Sequence, residues 1–219
     1  THRPSLWEEI RAGGPIVWPI LAIALLALLL VLERIAYLRR VYGNTDRLMD
    51  EMNRLASMGD WKACEALVEG HEDKDWPVLN VLAAGLSGRH EDRETQDNIL
   101  QESILREVPR LERFLSILAI FGAIAPLLGL LGTVTGMIDT FRVITLYGTG
   151  DPRMMSGGIS EALITTEFGL AVAIPIMLFH TFLSRRVDHL VGDMEEKAVA
   201  LTNIIQKDRR LNGNPVRGE

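Results

Sequence analysis

A single cysteine, Cys64, stands in 219 residues, so no internal disulfide and no multi-cysteine metal cage can form. The five histidines, His2, His71, His90, His180 and His189, show no ligand-like spacing with one another, and no metal site is expected. A basic excess is missing too. The formal net charge is −6, and residues 41–110 alone hold 15 acidic against 8 basic side chains, which leaves +1 for everything else. Nucleic-acid binding needs a basic face and is excluded; the acidic block reads as a solvated globular portion. Nothing at the beginning resembles a charged n-region with a cleavage site, and the chain starts at Thr1 rather than Met. A fragment, a processed form or part of a longer protein is expected. No internal repeat and no low-complexity segment is present.

What the chain does have is long uncharged runs. Pro15–Leu32, PIVWPILAIALLALLLVL, is about long enough for one membrane span, and Phe114–Ile138 is a second run. A third segment is uncharged from Phe168 to Leu183 and reaches spanning length only if Glu161 and Glu167 are included. The expected fold is an all-α integral membrane protein with three transmembrane helices, two of them extended into a cytoplasmic helical bundle. Its parts are an interfacial, periplasmic helix over 1–14, a first span over 15–33, and a cytoplasmic helical domain over 34–110. A second span follows over 111–140, a periplasmic loop over 141–157 and a third span over 158–184. A cytoplasmic helix extension over 185–206 and a flexible tail over 207–219 complete the chain. The spans would face membrane lipid.

Arginine placement sets the orientation. Arg34, Arg39, Arg40, Arg47, Arg106, Arg110, Arg113, Arg185 and Arg186 fall on one side, and only Arg3, Arg11, Arg142 and Arg153 on the other. The N-terminus is therefore expected outside the cytoplasm and the C-terminus inside it. Ser5-Leu-Trp-Glu8 fits a capping box opening a short helix that stops at Gly13-Gly14. Gly59-Asp60, Gly70 to Pro77 and Gly88 to His90 should break the cytoplasmic block. The periodicity of Ile99, Ile104, Val108, Leu111 and Leu115 predicts one helix running from about Glu91 into the second span, bent at Pro109.

The chemistry is concentrated in the spans. A carboxylate in hydrocarbon costs roughly 2.5–3.5 kcal/mol by insertion scales, so Glu161 and Glu167 are candidate working groups. No lysine or arginine lies in the uncharged runs to neutralise either one. Gly129, Gly132 and Gly136 in the second span, and Gly158, Ala162, Thr166, Gly169 and Ala173 in the third, put small residues at helix-packing spacing. Thr133 and Thr135 lie among those glycines and suggest a proton path. Thr165 sits one turn from Glu161 on nearly the same face. Glu167 is about 120° around the helix from Glu161, so the two carboxylates cannot form an acid/base dyad within one chain. An enzyme is not expected.

The stretch APLLGLLGTVTGMIDTF, followed by GGISEALITTEFGLAVAIPIMLFHTFLSRR, resembles the MotA/TolQ/ExbB proton-channel family, its ExbB branch most of all. That resemblance implies a homo-oligomer, a pentamer around a lumen, in the inner membrane of Gram-negative bacteria. It implies an ExbD-like single-span partner and a TonB-like protein as the energised element, with protons as the coupling ion and no cofactor. By position it makes Glu161 the membrane glutamate and Thr133 and Thr166 the pore threonines of a motor subunit that serves iron–siderophore uptake. Glu167 departs from the enterobacterial pattern, which has an apolar residue there, so Glu167 and Thr165 are accessory candidates. A TolQ-like subunit of the envelope-constriction system is the alternative within the family. A MotA-like stator would use four spans. Outside the family, a non-conducting scaffold or a permease subunit remains, and the scaffold predicts that Glu161→Gln is harmless.

Overall fold

A computed structural model describes residues 6–41, 45–71, 76–148 and 152–212. Among the described residues eight helices follow one another: α1 Leu6–Ala12, α2 Val17–Val41, α3 Thr45–Ser57, α4 Trp61–Glu69, α5 Pro77–Ser87, α6 Arg93–Leu111, α7 Leu115–Tyr147 and α8 Pro152–Asn212. The chain divides into two compact units, Thr1–Arg34 with Phe114–Leu183, and Ile35–Arg113 with Ser184–Glu219. Three helices, α2, α7 and α8, are long and apolar enough to cross a membrane. The protein is an all-α membrane protein, as its uncharged runs predict. The capping Ser5 and residues 213–219 of the expected tail lie outside the described residues, while α8 continues through residues 207–212, which were expected to belong to that tail.

In the first unit the apolar side chains point outward as well as inward. Leu25, Leu28 and Leu29 on α2, Leu127 and Leu131 on α7, and Leu170, Ile174 and Leu178 on α8 are all exposed. Such surface belongs in hydrocarbon or against another chain, because in water it would aggregate. The small residues hold α7 and α8 together. A Cβ added at Gly169 would lie 2.8 Å from the Ala125 carbonyl oxygen and 3.0 Å from Gly129 Cα. One added at Gly136 would lie 2.9 Å from Ala162 Cβ and 3.1 Å from the Gly158 carbonyl oxygen. Backbone therefore meets backbone at this crossing, which only small side chains permit.

The second unit has a buried apolar core of its own, with Met52, Leu82 and Leu201 fully enclosed. Its helix breaks fall at the expected glycines, with Gly59 at φ 74° between α3 and α4. Asp60 then caps α4 by accepting from the Ala63 amide at 3.1 Å. Pro77 opens α5 at its first turn, where its missing N–H costs nothing. α3, α4, α5 and α6 pack consecutively, and α5 is buried along Val78, Leu79, Val81, Leu82 and Leu86. Cys64 is buried in this unit, and burial pushes its thiol above its ordinary range, so it stays protonated and unreactive at neutral pH.

Two helix boundaries differ from the periodicity. The expected continuous helix from Glu91 into the second span is broken: α6 ends at Leu111 and α7 begins at Leu115. Phe114 between them has φ 67° and ψ −9°, the one non-glycine with positive φ among the described residues. That conformation costs a side chain roughly 1–2 kcal/mol and halts an α-helix at a single residue, while the apolar periodicity continues undisturbed on either side. Pro109 lies inside α6 and not at the break. Beyond the second span, α7 runs on to Tyr147, through residues expected as loop, because Phe141–Tyr147 contains neither glycine nor proline. Gly148, at φ 72°, ends it.

Lys197 is the main buried charge of the second unit. Its ammonium donates to Asp46 Oδ1 at 2.5 Å and Glu196 Oε1 at 3.0 Å, and lies 3.6 Å from Asp193 Oδ1. Asp193 also accepts from the Thr45 hydroxyl at 2.9 Å. The bond to Asp46 above all, then the bond to Glu196 and the nearby charge of Asp193, hold the Lys197 ammonium above its ordinary range despite the cost of burial. A raised folded pKa stabilises fully below the unfolded value and is lost as pH rises through the folded one. The Lys197 contribution is thus expected to be constant across neutral pH and to fall away only in strong alkali. Lys197→Met should cost about 2 kcal/mol, the scale of hydrogen bonds to charged groups, and flatten the alkaline limb of unfolding. Chemical denaturation of the two forms at pH 7 and at alkaline pH checks both.

Candidate functional site

The site is built inside the first unit where the turn between α1 and α2 meets α8. α1 stops at Gly13-Gly14 as expected, and Gly14 takes φ 69°, a left-handed conformation that glycine adopts without cost. Glu161, half-buried on α8, brings its carboxylate against this turn. A Cβ at Gly14 would run into Glu161 Oε1 and come 2.7 Å from its Cδ. One helical turn further on, the buried Thr165 hydroxyl lies 2.9 Å from the Gly13 carbonyl oxygen and 2.8 Å from the Glu161 carbonyl oxygen. It has one proton to donate, shared between the two acceptors. The other side of Thr165 packs on α7, where a Cβ at Gly132 would lie 2.6 Å from the Thr165 Cβ.

The candidate threonines are each tied to backbone. Thr166 donates across the helix crossing to the Gly129 carbonyl oxygen at 2.9 Å. Thr133 donates to its own helix, to the Leu130 carbonyl oxygen at 2.7 Å. Thr135 reaches the Leu131 and Gly132 carbonyl oxygens at 3.0 and 3.1 Å. Thr140, buried against Gly158, donates to the Gly136 carbonyl oxygen at 2.8 Å. The hydroxyl protons of Thr133 and Thr166 are therefore engaged, while their lone pairs stay open as acceptors. No direct hydrogen bond joins Glu161 to Thr166 or Thr133 among the described residues. Glu167 is exposed on the flank of α8, without a hydrogen-bond or ionic partner among the described residues.

Of the candidates, the structure brings Glu161 and Thr165 together with Gly13 and Gly14, and Thr166 together with Gly129 and Gly169. Thr133 and Glu167 are not part of either group. Gly13 and Gly14 were legible in the sequence only as a helix stop. Their approach to α8 is a tertiary contact that no local spacing announces. No group of three or more His, Cys, Asp or Glu able to hold a metal occurs among the described residues.

The model of the MotA/TolQ/ExbB proton channel family matches residues 73–196, more than half of the chain, and includes both glutamates and all of the candidate threonines. The chain belongs to this family. Members similar to it include an ExbB homolog of biopolymer transport from Methanothermobacter thermautotrophicus, 33% identical over 87% of this chain and 67% of that protein. The Vibrio cholerae biopolymer transport protein exbB1 is 27% identical over 87% of this chain and 84% of its own length. The Tol-Pal system protein TolQ of Pseudomonas aeruginosa is 37% identical over 42% of this chain and 40% of itself. The family match begins after Gly13 and Gly14, so the turn against Glu161 lies outside it.

Proposed function

We propose that this chain is an ExbB-like proton-channel subunit of the inner membrane. With an ExbD-like single-span partner it uses the proton motive force to drive a TonB-like protein, and so outer-membrane transport, iron–siderophore uptake included. The observation that carries this reading is Glu161: a carboxylate on a spanning helix, half-buried, with no basic partner among the described residues. A charged side chain there is costly, and a carboxyl kept in such a place marks a site where protons arrive and leave. Protons are the only coupling ion, and no covalent catalysis or cofactor takes part.

Thr166 and Thr133 offer lone pairs along the same two helices, and protons pass between them and Glu161 by way of water. The arginine distribution supports a periplasmic N-terminus and a cytoplasmic C-terminus, with the second unit in the cytoplasm. Exposed leucines on all three spanning helices, and an exposed Glu167 among them, support assembly of several copies, a pentamer by the family resemblance. Each copy then supplies the polar partner that Glu167 lacks alone. On that basis Glu167→Gln keeps transport within about twofold of the parent, because the amide still hydrogen-bonds. Glu167→Leu lowers the yield of assembled complex several-fold by leaving the partner unpaired. Transport and complex yield measured side by side decide this. Equal loss of transport in both variants, at normal yield, would make Glu167 a proton carrier instead.

The likeness to TolQ favours a second reading, a Tol-Pal-type subunit. Deleting the gene separates the two. The ExbB-like reading predicts failure to grow on a scarce iron chelate with normal cell division, and the TolQ-like reading predicts defective constriction with normal growth on the chelate.

A further inference from the structure

We propose that the Gly13-Gly14 turn is a backbone clasp that positions the Glu161 side chain and limits access to it from the α1 end of the spanning unit. The inference rests on Glu161 being the proton carrier for its importance to transport, but the contact itself stands on geometry alone.

Three features of the turn converge on one carboxylate. Gly14 adopts φ 69°, which an L side chain adopts only under strain, so the backbone there is shaped for glycine. The space a Cβ would fill at Gly14 is already taken by Glu161 Oε1 and Cδ. The neighbouring Gly13 is buried, and its carbonyl oxygen accepts from Thr165, one turn along α8 from Glu161. The turn is thus tied to α8 by a hydrogen bond and seated on α8 by the absence of a side chain. Val17 and Ile20, both fully buried at the start of α2, fix the downstream end of the same segment.

The consequence is a division of labour between two faces of the carboxylate. One face is covered by main chain that can neither donate nor accept a proton for transport. The Glu161 side chain keeps intermediate exposure, and a partner or a water file reaches it from the side away from the clasp. Loss of the Thr165 hydroxyl frees the turn without changing side-chain volume, since valine is isosteric and keeps the methyl group packed on Gly132.

The test is the rate at which a hydrophobic carbodiimide labels Glu161 in membranes holding the assembled protein, read by mass spectrometry of the α8 peptide. Glu167 lies on the same peptide, is exposed, and serves as the internal reference. Thr165→Val should raise the Glu161 rate roughly fivefold, the change expected for one net hydrogen bond, and leave the Glu167 rate unchanged. Thr165→Ser, which keeps the donor, should label at the parent rate. Gly14→Ala should raise Glu161 labelling at least as much, because its Cβ displaces the carboxylate. Equal Glu161 rates in the parent and Thr165→Val overturn the proposal. So does a parallel rise at Glu167, which would report general loosening of α8. At one fixed pH, labelling needs a reachable, protonated carboxyl and not proton transport through it, so retained transport in Glu161→Gln would sink the carrier role and leave the clasp standing.

Discussion

Glu161→Gln is expected to reduce energised transport to the level of a gene deletion while the protein still accumulates and assembles. The amide matches the carboxyl in volume and can still hydrogen-bond, so the helix crossing and the seat beside Gly14 should survive. What it cannot do is take up and release a proton at any physiological pH. A channel whose carrier cannot cycle loses the whole driven step, on the order of a hundredfold or more when a single proton-transfer group is removed. Loss of assembly would instead mark Glu161 as a packing residue, and undiminished growth on a scarce iron chelate would mark it as a bystander. Complex yield and growth measured on the same strain separate all three.

The next largest effect is expected at Gly169. A Cβ there would meet the Ala125 carbonyl oxygen at 2.8 Å, Gly129 Cα at 3.0 Å and Gly129 N at 3.2 Å. These are backbone atoms of a facing helix and cannot swing aside as a side chain can, so α7 and α8 must separate. Forcing one methyl group into such a contact costs about 1–3 kcal/mol. Separation also stretches the 2.9 Å bond from Thr166 to the Gly129 carbonyl oxygen, whose loss adds about 1 kcal/mol. Gly169→Ala should therefore lower the thermal midpoint of the purified protein clearly, and Gly169→Leu should prevent its accumulation. Gly192 on the same helix has nothing within 4 Å of its would-be Cβ. Gly192→Ala should be neutral or slightly stabilising, since alanine favours a helix by up to about 1 kcal/mol. Equal behaviour of the two alanine variants would contradict the close crossing.

Much of this architecture is legible in the sequence. Uncharged runs mark a spanning helix because hydrocarbon excludes charge, and that constraint acts on each segment by itself. The glycines at 59, 70 and 88 mark helix ends for an equally local reason. The small-residue spacing on α7 and α8 was readable as a packing face, and both faces do meet. What escaped was nonlocal or singular. Phe114 breaks a helix by one left-handed residue, a conformation that neither its size nor its neighbours foretell. The seating of Glu161 on Gly14 joins segments at opposite ends of the sequence, and the helix stop at Gly13-Gly14 gave only half of its meaning. Thr165 was placed near Glu161 by helical geometry alone, but its acceptor on the other segment was not. For Glu167, helical geometry places it on the flank of α8 away from Glu161, and the structure leaves it exposed there.

The most direct measurement is proton flux through the protein, purified with the proposed ExbD-like partner and reconstituted into sealed vesicles under an imposed pH gradient. The parent complex should acidify or alkalinise the lumen faster than empty vesicles, and Glu161→Gln should return the rate to that of empty vesicles at equal protein content. Flux through the Glu161→Gln complex equal to that of the parent would contradict a proton-carrying role for Glu161.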